Sequence, residues 1–376
     1  MVKTTIDSDK VIVIKKTLED LKNLSPKNIL KLREQNLTTL EDLSELSVVQ
    51  LKTLLSTTEN KASQILTEAR KSLPPFKAYS GLELVELAKT QQYLPLGCKA
   101  LQALFGGAGL QCGTITEVYG AFASGKSQMG FTSLIRAVLP KPFGLGGSGI
   151  YVDTEGTFNI KRISEIAQFF SHIMPLKDIL ENIRVIKPKK SSEQIQIIKS
   201  FLENNSSGYY SYLKLTKPVK ALVVDSLTAH FRAQYLGRGV LAERQQRLNQ
   251  HLRDLHQFST QTKCAVLVIN QVMGNPDPFS ALGPELAIGG NIVAHSTSCR
   301  VYFRKRKNYR LATMMDSAML PNSEVMFKLG KRGIMDIDEE DDNSEPEPGD
   351  STDPVDLLTF KNSLETEEDL DVLNLL

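Results

Sequence analysis

Apolar residues in the first seventy positions recur at helical spacing. In TLEDLKNLSPKNILKLREQNLTTLEDLSEL, Leu18, Leu21, Leu24, then Ile29, Leu30, Leu32, then Leu37, Leu40, Leu43 and Leu46 are mostly three or four apart, the period of short amphipathic helices. Thr17, Ser25 and Thr38 are suited to cap them, and Pro26 to a first helical turn. A further helix is predicted over 58–70. These elements form a small all-helical domain within residues 1–72. Pro74 and Pro75 then break the pattern and favour extended chain, so residues 73–94 read as a linker. From 95 to 335 the period alternates. Apolar strands are predicted at 114–120, 149–155, 183–188, 219–227, 264–272 and 299–305, with helices at 127–138, 162–170, 192–204 and 243–258. Strands alternating with helices predict an α/β core with a mostly parallel sheet covered on both faces.

Composition adds little until charge is mapped along the chain. The 376 residues are 41% hydrophobic and 23% charged, ordinary values for a globular protein. No apolar run approaches 18 residues, so no membrane span and no membrane partner are expected. Cys98, Cys112, Cys264 and Cys299 lie far apart, which favours free thiols over disulfides or zinc. The net charge of +2 hides an asymmetry: residues 336–376 hold sixteen acidic residues and one lysine. A basic body with an acidic, Pro-bearing tail suits a polyanion-binding protein, with the tail disordered, a competitor for the basic surface, or a dock for a protein partner.

The core also carries candidate chemistry. Residues 120–127, GAFASGKS, fit G-x-x-x-x-G-K-[ST] between a strand and a helix, the setting in which backbone N–H groups and a helix N-terminus cradle phosphates. Gly120, Ala121, Phe122, Ala123, Ser124, Gly125 and the following Gln128 would surround a nucleoside triphosphate. Lys126 would reach its outer phosphates, and the Ser127 hydroxyl would ligate Mg²⁺. Asp225 ends the apolar run ALVVD, where a carboxylate is costly unless it faces a metal or partner. Glu155, beside Asp153 at the mouth of a neighbouring strand, is placed to polarise a water. Gln271, after another apolar strand, is placed to sense the γ-phosphate. Arg232, Arg238, Arg244 and Arg247 cluster around Gly237 and Gly239, a pattern suited to phosphate oxygens. The Gly- and Pro-rich stretch 272–290 reads as a long irregular loop. The run RKRKNYR (304–310) reads as a solvated basic hairpin.

These motifs agree in order with a known group. VVDSLTAHFRAQYLGRG, LAERQQRLNQHL, VINQVM, IGGNIVAHSTSCRVYFRK and DSAMLPNSEVMF resemble the strand-exchange recombinases of the RecA/RadA group over residues 17–335. The resemblance implies a RecA-like P-loop ATPase core, preceded by a helix-hairpin-helix-like domain. It implies a cytoplasmic protein that uses ATP and Mg²⁺, forms filaments or rings of itself, binds single- and double-stranded DNA, and exchanges strands in DNA repair. Carried over by position, it makes Lys126, Glu155 and Gln271 catalytic, and places Arg162 on the adenine. Asp316 and Pro321 would cap ATP bound to an adjacent subunit, and His295 would couple the γ-phosphate to the second loop. Arg232, Arg238 and Arg244 fall in the first DNA loop, and Gly289 and Gly290 close the second. Phe76 and Ala78 would anchor the next subunit, although the family's F-x-x-A is here Phe76-Lys77-Ala78-Tyr79, with Ala one position early. The helical hairpin turns, 23–28 and 55–61, hold no glycine. These two departures keep a second reading open, a recombinase paralogue or mediator without efficient strand exchange.

Overall fold

The computed structural model describes residues 17–35, 37–73, 79–202, 213–274 and 285–338, and the chain divides into two compact units at Lys89/Thr90. In the first unit, α1 (Pro26–Glu34), α2 (Leu40–Glu45), α3 (Val48–Leu55) and α4 (Glu59–Ser72) bury Leu18, Leu32, Leu43, Leu51, Ile65 and Leu66 in a core of their own. Side-chain oxygens cap α2, α3 and α4, and at α3 and α4 Ser47 and Thr58 accept from Gln50 and Lys61 N–H; Ser25 holds the N-cap position before Pro26 without a side-chain cap bond. The cap of α2 is Thr39 rather than Thr38, because Thr39 accepts from Asp42 N–H while the Asp42 carboxylate accepts from Thr38 and Thr39. Between α3 and α4 the left-handed residue is Ser56, with φ 53, where a glycine would be unstrained. A fifth helix, α5 (Gly81–Lys89), occupies part of the stretch read as linker. Phe76 and Ala78 lie outside the described residues.

The second unit begins with a short ladder, β1 (Tyr93–Leu94) with β2 (Leu110–Gln111), flanking α6 (Lys99–Leu104). That pairing ties residues 90–94 to the core. The remaining strands are β3 (Ile115–Gly120), β4 (Ser148–Asp153), β5 (Ile183–Ile186), β6 (Val219–Asp225), β7 (Ala265–Asn270), β8 (Val272–Gly274), β9 (Glu285–Ala287), β10 (Cys299–Arg306), β11 (Tyr309–Ser317), β12 (Glu324–Gly330) and β13 (Gly333–Met335). Nine of them form one sheet in the order β13-β12-β11-β10-β3-β7-β6-β4-β5. The six from β10 to β5 run parallel, and β11, β12 and β13 extend the sheet antiparallel. The sheet is therefore the mostly parallel one expected, lengthened by strands the alternation pattern did not mark. β8 and β9 pair separately, Val272↔Ala287 to Gly274↔Glu285, so the arms of the long loop are regular where irregular chain was expected. Pairing satisfies backbone groups that an irregular arm would leave to solvent. The tip, 275–284, and the tail from 339 lie outside the described residues.

Strand alternation explains why both faces are covered. In β6, Ala221 and Val223 join one core cluster, and Leu222 and Val224 the other; β7 repeats this with Ala265, Leu267 and Ile269 against Val266 and Val268. The first face packs on α7 (Lys126–Val138), α8 (Ile160–Gln168) and α9 (Leu176–Glu181). The second packs on α10 (Ser191–Leu202) and the helices Ala229–Gln234, Leu241–Thr262 and Gly290–Ser296. The four cysteines are free. Burial pushes the Cys98 and Cys264 thiols up to about 12 and Cys112 to about 11, which makes them unreactive. No helix among the described residues is long and apolar enough to cross a membrane.

His251, on the long helix, is fully buried beside Gln194 Nε2 at 3.2 Å and the Phe231 ring. Burial holds its pKa down from 6.5 to about 3. The folded state thus keeps the ring neutral, and the unfolded chain takes the proton first. This contribution to stability is complete above pH 6.5 and is lost as pH falls toward 3. Denaturant unfolding at pH 5.5 should therefore show a loss of about 1.4 kcal/mol relative to pH 7.5 from this group, and His251→Leu should remove that part of the pH dependence.

Candidate nucleotide site

The functional side chains meet at the carboxyl ends of β3, β7, β6 and β4, four adjacent strands. A cleft of ≈ 580 Å³ opens there, within the range of small-molecule sites. Residues 120–128, Glu155, Thr157, Asp225, Ser226, Ile269, Gln271, Val272, Arg310 and Leu329 line it. The sequence makes the loop by two glycines. A Cβ on Gly120 would lie 2.1 Å from the Phe303 carbonyl oxygen of β10, so only glycine lets the loop leave β3 at this point. Gly125 caps α7 with φ 104, a conformation that L side chains avoid. The loop between them wraps the positive end of α7, an anion-binding arrangement. Phe122 projects from it, 96% exposed.

Lys126 Nζ donates to the Gly120 and Ala121 carbonyls at 2.9 and 2.8 Å. Burial pushes its pKa down, and the nearby Asp225 and Glu155 carboxylates oppose this. An anion in the cleft would hold the ammonium in its charged form. Ser127 Oγ donates to Asp225 Oδ2 at 2.7 Å, and Tyr151 Oη donates to the same oxygen at 2.6 Å. Asp225 is buried, and burial raises its pKa while these two donors lower it. Burial and the Asp225 carboxylate together raise that of Tyr151. Tyr151 was not marked by the sequence, because a tyrosine in an apolar strand reads as core.

The donor set fits a magnesium nucleoside triphosphate. It offers backbone N–H groups, one ammonium, one hydroxyl and one carboxylate. Among the described residues no three His, Cys, Asp or Glu side chains converge to hold a metal alone. A divalent ion held by Ser127 and Asp225 would therefore draw its other oxygens from water and phosphate, as Mg²⁺ does.

Glu155 sits on a loop that the structure fixes tightly. Asp153 accepts from Thr157 and Phe158 N–H at 3.0 and 3.2 Å, and Thr154 bonds Ser226 through both N–H···Oγ1 and Oγ1–H···O=C contacts. The Glu155 carboxylate is exposed and accepts from Gln271 Nε2 at 2.6 Å. On the other side, Arg162 donates to Gln128 Oε1 at 2.9 Å and to the Gly330 carbonyl. Arg162 and Gln128 line a hollow that adjoins the loop and shares Ser127 and Thr157 with the main cleft.

A third hollow shares Glu155 and Gln271 and is lined by Arg232, Arg244, Tyr235 and Gly237. Arg238 begins a 3-10 turn, and its side chain lies outside the described residues. Gly289 caps the helix that Gly290 begins. His295 is exposed on that helix and does not line the cleft. Asp316 and Pro321 are exposed at and beyond the end of β11, and neither lines the cleft of its own chain.

Beneath these loops lies a buried polar network that the sequence reading missed. Asn270 Nδ2 donates to Glu117 Oε1 at 2.8 Å and to the Ile288 carbonyl, and its Oδ1 accepts from Thr228 Oγ1 at 2.8 Å and Gln271 N–H at 3.0 Å. Glu117 also accepts from Arg300 at 2.6 Å. One side chain thus ties the starts of both loops to β3. Its signal was an Asn inside an apolar strand, which demands partners.

With this geometry in place, comparison with known proteins is specific. The Rad51 family model matches residues 89–337. The chain is 37% identical over 333 residues to the DNA repair and recombination protein RadA of Cenarchaeum symbiosum, covering 86% of this chain and 79% of that one. It is 36% identical over 326 residues to the RadA of Metallosphaera sedula, covering 86% and 97%. The RecA-like core, the phosphate loop and these matches agree, and the chain belongs to the Rad51 family.

Proposed function

We propose that this protein is a DNA-dependent ATPase that assembles on single-stranded DNA as a filament, pairs it with homologous duplex and exchanges strands. The observation that carries the reading is the single row of side chains along four strand ends: Lys126, Gln271, Asp225 and Glu155. A hollow lined by the basic first loop opens onto the same row. Family membership supports the class of activity, and the relatives are named for DNA repair and recombination.

In this reading the phosphate loop binds the triphosphate of ATP, and Lys126 leaves the two carbonyls it now meets to neutralise the outer phosphates. Ser127 and Asp225 would hold Mg²⁺, which would supply charge stabilisation at the phosphates. Tyr151 fixes the Asp225 carboxylate through its hydroxyl. Arg162 and Gln128 hold the base end. Glu155 takes a proton from the attacking water, and Gln271 orients that water or the γ-phosphate. Asp316 and Pro321 lie on an exposed edge and act on the nucleotide of a neighbouring copy. Arg232, Arg238, Arg244 and the Gly289–Gly290 turn contact DNA phosphates, and His295, on the helix that follows that turn, couples the γ-phosphate to the second loop. Phe76, with Ala78, anchors successive copies. Recognition is of the backbone and stacked bases, so sequence preference is weak. The mediator alternative would not need Lys126, Glu155, Asp225 and Gln271 to line one cleft.

Lys126→Ala should abolish ATP binding measured by equilibrium titration. Glu155→Gln should keep ATP and DNA binding and slow DNA-stimulated hydrolysis roughly 10²- to 10⁴-fold, the usual contribution of a positioned base. Unchanged turnover in Glu155→Gln would remove that residue from catalysis. Tyr151→Phe should raise the Mg²⁺ concentration for half-maximal hydrolysis, with ATP binding in the absence of Mg²⁺ unchanged.

A further inference from the structure

Arg232 stands where the basic hollow meets the nucleotide cleft. It is exposed, on the short helix Ala229–Gln234 that follows β6. The Gln271 amide beside it is engaged at both ends. Its Oε1 accepts from Arg232 Nη1 at 3.0 Å, and its Nε2 donates to Glu155 Oε1 at 2.6 Å. Gln271 and Glu155 line both the nucleotide cleft and the hollow that Arg232 shares with Arg244. An arginine open to a polyanion is therefore one hydrogen bond from the amide and two from the carboxylate.

We infer that Arg232 is a positioning residue that reports DNA occupancy to the hydrolytic pair. Without DNA, Arg232 holds Gln271 so that its donor rests on Glu155. With DNA, a backbone phosphate takes the guanidinium, and Gln271 and Glu155 are released to act on the nucleotide. The inference rests on the roles given above to Glu155 and Gln271.

The chemistry of the amide makes the arrangement two-state. A glutamine side chain has one acceptor end and one donor end. While Arg232 occupies the acceptor, the donor is directed at Glu155. That contact uses a carboxylate oxygen needed to accept from water, and a donor needed at the γ-phosphate. Phosphate competes well for the arginine, because a charged, bidentate Arg–phosphate contact is stronger than one N–H bonded to a neutral amide oxygen. The change can be confined to side chains. Asp153 and Thr154 pin the Glu155 loop, and Asn270 pins the Gln271 main chain. The coupling is also reciprocal. A nucleotide that draws the Gln271 amide toward its phosphates frees Arg232 for DNA, so one switch makes DNA promote hydrolysis and ATP promote DNA binding.

The test is steady-state ATP hydrolysis by the full chain, without DNA and at saturating single-stranded DNA, for the wild type, Arg232→Ala, Arg232→Lys and Arg244→Ala. Arg232→Ala should raise the DNA-free rate and lower the stimulation at saturation by roughly 5-fold or more, the range of an allosteric coupling. Arg232→Lys keeps a charged donor and should fall between the wild type and Arg232→Ala. Arg244→Ala should need more DNA to saturate yet reach the wild-type stimulation, because Arg244 binds DNA without bonding the amide. Wild-type stimulation in Arg232→Ala, or an equal loss in Arg244→Ala, would overturn the relay and leave the proposed function standing. A wild type with no stimulation by DNA would overturn both.

Discussion

A carboxylate buried at the end of β6 is the constraint around which this cleft is built. An ion in that position is costly unless its oxygens are met. Asp225 is met by the first turn of α7 through Ser127 and by β4 through Tyr151. Both bonds reach the same oxygen, one from a helix and one from the neighbouring strand, so the phosphate loop, Asp225 and the strand that leads to Glu155 are held in one register. Burial pushes the Asp225 pKa upward and these two hydrogen bonds push it downward.

The same logic operates one strand away. Asn270 is a polar residue placed in the core to serve four partners: Thr228, Gln271 and Ile288 flank the two loops, and Glu117 belongs to β3. A fully satisfied buried network is rigid. Rigid main chain beneath the loops leaves the side chains above it, half-buried Gln271 and exposed Glu155 and Arg232, as the parts that can change partners. The fold thus separates a fixed base from a labile layer, and communication between DNA and nucleotide is proposed to run through that layer.

Much of this was legible in the sequence because it depends on local pattern. GAFASGKS declares its own geometry, and the apolar runs ending in Asp225 and Asn270-Gln271 mark strands by period and position. What escaped was set by neighbours distant in the chain. Tyr151 looks like any core tyrosine until β6 lies beside β4. Leu329 and Arg310 reach the cleft only because β11 and β12 extend the sheet antiparallel past β10, and their half-buried pattern carries no strong period. Thr39 displaced Thr38 as a cap because Asp42 lies three residues on from Thr39. The arms of the second loop looked irregular by composition, yet cross-strand pairing made them a ladder. The contact between Arg232 and Gln271 joins residues 39 apart in sequence, and no periodicity reports it.

The central claim is that nucleotide chemistry at this cleft serves exchange of DNA strands. It is tested most directly by incubating the full chain, ATP and Mg²⁺ with a labelled single-stranded oligonucleotide and a duplex of matching or unrelated sequence. The account predicts exchanged product with the matching duplex, none with the unrelated duplex, and none without ATP. ATP and DNA binding with no exchange under any of these conditions would contradict it and make the chain a mediator.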